Sequence, residues 1–252
     1  MSRSVTRYVA VAVLAGAMLL GSSAPAQAFP PPTELMIDSF DTTQSLLADS
    51  TNQDVTSSVS TAGSDIIGGT RDAAALYDSG PSTISLVANE GGSSVLNYNG
   101  SAGTSGSAWC IWDGDSDPDV FSPTGLGSED LTLAGVLDRI AIMVDFDDLP
   151  VDLIFKVYTD ASNWSQATLR LPGGIHDQGD PPTQFNVPFS SFVTQAGTGA
   201  DFTNVGAISL DISELIQGTN LQVDFIKAVV PEPVSIILLA LGILALVPPR
   251  WR

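Results

Sequence analysis

Four aspartates alternate within one short stretch, Trp112-Asp113-Gly114-Asp115-Ser116-Asp117-Pro118-Asp119. Ca2+ takes about six to eight hard oxygen ligands. Carboxylates spaced this closely on a loop supply several, so Asp113, Asp115, Asp117 and Asp119 are the candidate calcium ligands. Their spacing matches the first three ligands of an EF-hand, but Pro118 replaces the sharp-turn glycine and Thr124 stands where the last glutamate belongs. A looser calcium loop and a solvated acidic turn both fit what is left. Aromatic residues offer a second chemistry. A sugar ring presents an apolar face that stacks on an exposed aromatic side chain, with a few polar groups fixing its orientation. Tyr98, Trp109, Trp112 and Trp164 are candidates for such a platform, and Tyr98, Trp112 and Trp164 are taken as the ligand-binding set. Trp109 and Trp112 point to opposite faces of any regular strand, so at most one of them lies in the core.

Other chemistries are excluded or uninformative. Cys110 is the single cysteine and His176 the single histidine, the latter in a Pro/Gly-rich loop, so neither a disulfide nor a Cys–His pair is indicated. Carboxylate pairs for glycoside cleavage are so abundant that no one pair stands out. His176-Asp177 has no Gly-x-Ser-x-Gly elbow to serve, and no phosphate loop, zinc spacing or dinucleotide fingerprint occurs. The chain has 28 acidic and 9 basic residues, a net charge of -19, so nucleic acid is a poor partner. Between residues 29 and 230 there are 27 acids against Arg71, Arg139, Lys156, Arg170 and Lys227, a net of -22. An anionic polymer or membrane surface would need a bridging cation to approach it.

The elements that must position these residues read as strands. Ile140, Ile142, Val144 and Phe146 alternate with Ala141, Met143 and Asp145; Leu153, Phe155 and Val157 alternate with Asp152, Lys156 and Tyr158. Period two means one buried and one wetted face. Residues 148–150 between these runs suggest a hairpin. Ile208, Leu210 and Ile212 form another such face, and Leu221, Val223 and Phe225 a further one across residues 217–220. Further runs at 35–40, 66–71, 74–77, 83–88, 94–98, 108–112, 167–171 and 184–187 make about a dozen short strands separated by Gly, Pro, Asn and Asp clusters. Helix is confined to a turn or two at 130–137 and 189–195. The expected fold is an all-β antiparallel β-sandwich over residues 35–229, behind a linker at 29–34. A signal helix is expected at one end of the chain and a single transmembrane helix at the other.

Those ends carry an address. Arg3 and Arg7, an apolar run from Tyr8 to Leu20 and the small-x-small Ala26-Gln27-Ala28 have the layout of a secretory signal peptide over residues 1–28. Residues 234–247 are apolar all round. At about 1.5 Å per residue they reach roughly 21 Å, short of a roughly 30 Å hydrocarbon core, yet they lack the polar face of a core helix. Arg250 and Arg252 after them suit the cytoplasmic side. Val230-Pro231-Glu232-Pro233, the apolar segment and the terminal arginines together resemble the PEP-CTERM sorting signal of Gram-negative bacteria. The resemblance covers residues 230–252, with the usual arginine cluster thinned to two residues around Trp251. It implies transient residence in the inner membrane, recognition by an exosortase-type transpeptidase, and delivery to the cell envelope or extracellular matrix, where such proteins accompany polysaccharide. The opening Met36-Ile37-Asp38-Ser39-Phe40-Asp41, the Gly68-Gly69-Thr70-Arg71 turn and the last two strands resemble galactose-binding-like jelly rolls of carbohydrate-binding modules. The expected function is non-catalytic binding of glycan or exopolysaccharide, with a secreted polysaccharide hydrolase or lyase as the alternative.

Overall fold

A computed structural model describes residues 33–175, 181–214 and 216–230. In chain order its strands are β1 (Glu34–Asp38), β2 (Gln44–Ala48), β3 (Asp54–Ser60), β4 (Thr70–Ser79) and β5 (Ile84–Ala88). There follow β6 (Leu96–Gly100), β7 (Ser105–Trp112), β8 (Arg139–Asp147), β9 (Val151–Asp160) and β10 (Asn163–Leu171). β11 (Thr183–Pro188), β12 (Val193–Ala196), β13 (Ala207–Glu214) and β14 (Asn220–Val229) complete the set. One sheet runs β11-β8-β14-β6-β5-β2, with β1 also paired to β14; the other runs β12-β10-β9-β13-β7-β4-β3. Every pairing is antiparallel, and the two inner faces close over one apolar core. The protein is an all-β two-sheet sandwich. The signal segment 1–28, linker residues up to 32, Pro231, Glu232, Pro233, the apolar segment 234–247, Arg250, Arg252 and His176 lie outside the described residues. Among the described residues no helix is long and apolar enough to cross a membrane.

Alternation set most of the core. Ile140, Ile142, Val144, Leu153, Phe155, Val157, Ile208, Leu210 and Ile212 all point inward and are fully buried. Two bulges break the pattern. On β8 the pairing jumps from Phe146 opposite Gln222 to Val144 opposite Val223, which leaves Asp145 extra. On β14 it jumps from Val223 to Phe225, which leaves Asp224 extra. Each bulge shifts the alternation by one residue, so Phe146 and Phe225 turn outward while Asp147 and Ile226 turn in. The expected hairpin at 148–150 is also corrected. β8 and β9 belong to different sheets, so these residues carry the chain across the sandwich, and residues 217–220 do the same between β13 and β14. Residues 130–137 are turns and not helix, and 189–195 hold a single 3-10 turn followed by β12. The runs at 66–71 and 74–77 become one 3-10 turn and the long strand β4.

One end of the core is polar. Asp38 and Arg71 form an ion pair with both side chains fully buried, at 2.9 Å. The Arg71 Nε donates to Gln44 Oε1 at 2.7 Å, and its second terminal nitrogen donates to the Thr42 carbonyl at 2.8 Å. The Trp112 indole N–H donates to Asp38 Oδ2 at 2.8 Å, and the Phe40 main-chain N–H to Oδ1 at 2.8 Å. Burial still pushes the Asp38 carboxyl up, against the pull of Arg71 and these donors. At the two ends of the described segment β1 lies along β14 with Glu34 opposite Val229, and Val230 N–H donates to the Thr33 carbonyl at 3.3 Å.

Candidate functional site

The outward positions of the β12–β3 sheet converge on one hollow of about 410 Å3. Trp109 on β7 lies between Ala74 of β4 and Asp211 of β13, and Asp211 lies opposite Ile154 of β9. Ser209 lies opposite both Ile111 and Lys156, and Tyr158 opposite Trp164 of β10. Small side chains, Ser107, Ser209 and Ser213, leave room on the floor, while Trp109, Tyr158 and Phe121 wall it. Tyr158 is sandwiched between aromatic neighbours. Its ring meets Trp164 in a stacked arrangement at 5.3 Å and Phe121 edge-on at 4.8 Å. Aromatic surface is therefore displayed across three strands, β7, β9 and β10, and the loop that carries Phe121. Phe121 is 42% exposed.

Polar groups share that floor. Lys156 Nζ donates to Asp211 Oδ2 at 2.5 Å, and both side chains keep part of their surface in solvent. Burial holds the Tyr158 hydroxyl above the usual phenol range, with Asp211 pushing the same way and Lys156 opposing. The hydroxyl stays protonated at any physiological pH and can donate as well as accept.

The aspartate row is bonded largely to main-chain N–H groups of its own loop. Asp113 is almost fully buried; its Oδ1 accepts from Asp115 N–H at 3.0 Å and its Oδ2 from Ser122 N–H at 2.7 Å. That pair of bonds ties the two ends of the loop together beside Phe121. Gly114 permits the closure: its φ is +73, and a Cβ there would sit 2.7 Å from the Gly125 carbonyl oxygen. Asp115 accepts from the N–H groups of Ser116 and Asp117, and Asp117 from that of Asp119. Asp119 accepts from the Thr56 hydroxyl at 3.2 Å. Among the described residues no three acidic, histidine or cysteine side chains are grouped to hold a metal ion.

Of the aromatic set, Trp164 stands on the proposed platform and Trp109 joins it. Trp112 and Tyr98 do not. Trp112 has no exposed surface and Tyr98 is 1% exposed, both facing the core, so neither has a ring face to offer a ligand. The opposite facing of Trp109 and Trp112 was legible from their spacing; Trp112 shares the inward face of β7 with Ala108 and Cys110 and bonds the buried Asp38 carboxylate. Tyr158, Lys156, Asp211 and Phe121 were not singled out. For Tyr158 the signal was present, an aromatic ring on the wetted side of a clean alternation. Cys110 is fully buried and desolvation lifts its thiol to about 12, which removes it from any chemistry.

No protein-family model matches the chain, and no curated protein matches it. Among solved structures it is similar to a family 11 carbohydrate-binding module from Clostridium thermocellum in complex with a β-1,3-1,4-mixed-linked tetrasaccharide. That likeness has 14% identity, covers 78% of this chain and 95% of that one, and has a TM-score of 0.39. A solution structure of such a module aligns at 13% identity over 80% of this chain and 97% of that one, with a TM-score of 0.40. An exo-β-agarase aligns at 11% identity over 80% of this chain and 25% of its own, with a TM-score of 0.37. With TM-scores below 0.5, none of these places a site in this protein.

Proposed function

We propose that the outer face of the β12–β3 sheet is a binding face for a neutral polysaccharide, and that the protein is a non-catalytic glycan-binding component of the cell envelope or extracellular matrix. The observation that carries this reading is the display of Trp109, Tyr158, Trp164 and Phe121 on one face around hydroxyl-bearing and charged groups. Stacking surface plus a few fixed donors and acceptors suits a sugar ring. A neutral polymer fits better than an anionic one, since the lysine in the hollow is already paired with Asp211 and the surrounding domain is strongly acidic. The lining contains one carboxylate, Asp211, whereas glycoside cleavage as a rule uses a pair. Export through the signal peptide and sorting by an exosortase-type transpeptidase acting at the Pro231-Glu232-Pro233 motif complete the proposal.

Affinity electrophoresis in gels containing soluble β-1,3-1,4-glucan, β-1,4-mannan, agarose or alginate tests it. The protein should be retarded by at least one neutral polymer and not by alginate, without releasing reducing ends. Trp109→Ala should weaken retardation at least about tenfold, equivalent to about 1.4 kcal/mol. New reducing ends, or retardation untouched by Trp109→Ala, would overturn the assignment.

A further inference from the structure

The opposite outer face, on the β11–β2 sheet, carries its own hollow of about 300 Å3. Asn97, Asn99, Phe146, Asn220 and Gln222 line it, with Tyr98 and Leu221, whose side chains turn into the core. Gln222 of β14 lies opposite Asn97 of β6 on one side and Phe146 of β8 on the other, and Asn220 lies opposite Asn99. Adjacent strands sit about 4.8 Å apart, so the row Asn97, Gln222, Phe146 spans about 10 Å, the scale of a disaccharide.

Three independent features mark this patch. Phe146 reaches it only through the bulge at Asp145, which takes out of the core a ring that the alternation of Ile140, Ile142 and Val144 would bury. No lining side chain is charged, although the domain around it is dense in aspartate. Three of the four carboxamides are also unengaged. Asn97, Asn99 and Gln222 make no side-chain hydrogen bond within the described protein. Asn220 is held by Asp148, its main-chain N–H on Oδ1 at 2.7 Å and its Nδ2 on Oδ2 at 2.6 Å. Asparagine is disfavoured in strands, yet two occupy β6 and one opens β14, both interior strands of this sheet. A carboxamide carries both donor and acceptor, matching a sugar hydroxyl, and an aromatic ring beside it matches the sugar's apolar face.

We propose that this hollow is a second site for the same neutral polysaccharide, and that the protein bridges two glycan chains, one on each outer face. The proposal rests on the reading of the Trp109 face for the identity of the polymer. Two sites on opposite faces engage separate chains and convert binding into cross-linking.

The test uses the intact protein with soluble β-1,3-1,4-glucan, β-1,4-mannan and agarose, and with oligosaccharides of whichever polymer retards it. Calorimetry should give two oligosaccharides per chain, and the protein should raise the viscosity of the polymer solution. Asn97→Ala/Gln222→Ala should bind one, lose the viscosity rise and keep its retardation on gels; Trp109→Ala should likewise bind one and cease to bridge. Phe146→Leu, which keeps the bulk and removes the ring, should weaken the second site with an unchanged melting temperature. A stoichiometry of one in the wild type, or bridging that survives Asn97→Ala/Gln222→Ala, overturns the second site and leaves the Trp109 face standing. No retention on any of the three polymers overturns both.

Discussion

Asp72 and Asp147 should make this domain more stable in mild acid than at neutral pH. Asp72 is 2% exposed and Asp147 fully buried, and each has an Oδ1 with no hydrogen-bond partner. Desolvation lifts Asp72 to about 6, against the pull of the neighbouring Ser58 hydroxyl and helped by repulsion from Asp113, Asp115 and Asp117. Desolvation also lifts Asp147 to about 6, against the Gly173 N–H that donates to its Oδ2 at 2.9 Å. Because each folded-state pKa lies above the unfolded one, the native state holds these protons more tightly. Stability therefore falls as pH rises from about 4 through about 6. A rise from 3.8 to about 6, at about 1.4 kcal/mol per unit, sets a ceiling of about 3 kcal/mol for each residue. Relaxation and water entry bring this to about 1–2 kcal/mol each. Asp49, Asp130 and Asp160 act in the opposite sense. Hydrogen bonds hold them below the usual carboxylate range, so their contribution is lost as pH falls further. Urea midpoints should therefore peak near about pH 4.5–5 and decline toward pH 7.5. Asp72→Asn and Asp147→Asn mimic the protonated forms; each should raise the midpoint at pH 7.5 and change little at pH 4.5. General relief of net charge predicts the same slope in the wild type, and only the asparagine variants isolate these two side chains. Stability that climbs steadily from pH 4.5 to 7.5, with both variants weaker at each pH, would refute the argument.

Arg71→Met should cost about 3–5 kcal/mol in chemical denaturation because it strands the buried Asp38 carboxylate, and pairing it with Asp38→Asn should recover much of the loss. Leu210→Ala should cost about 2–5 kcal/mol, whereas Met143→Ala, on the outer face of β8, should cost far less by the same measurement. Calcium at the aspartate row is checked by melting in calcium chloride against sodium chloride of matched ionic strength. The bonds these carboxylates already make to main-chain N–H groups predict equal shifts, and an extra calcium rise lost in Asp115→Asn/Asp117→Asn would show a bound ion.

Fold class was legible because alternation acts locally: the inward faces at Ile208, Leu210 and Ile212 and at Leu153, Phe155 and Val157 need no partner to be recognised. Sheet membership was not legible. The 148–150 connection has the composition of a hairpin whether the chain turns back or crosses the sandwich, and only distant pairing decides. Bulges at Asp145 and Asp224 are invisible for the same reason, since an extra residue in one strand shows only against the register of its neighbour. β2 and β3 were missed because the adjacent Leu46 and Leu47 blur the alternation of β2 and because β3, Asp-Val-Thr-Ser-Ser-Val-Ser, is a weakly apolar edge. At the site, aromatic type drew attention to Trp109 and Trp164, which do lie on the outer face. The partner that satisfies the buried Trp112 indole, Asp38, lies 74 residues away in the chain and could not be read from the local sequence.

The adjacency of Thr33 and Val230 has a mechanical consequence. Tethers attached at the two ends of the described chain would leave the sandwich at a single point, so tension between them would act across the β1–β14 pair alone. Antiparallel strands pulled apart from adjacent ends open one hydrogen bond at a time, the weak direction of a sheet. Under load β1 would peel first. Its removal would expose the end of the core that Ile37 and the Asp38–Arg71 pair close, while strain would not pass through β6, β7, β9 or β13 until that strand was gone. Joining residues 33 and 230 with a short linker should produce a circular domain without rearranging either sheet.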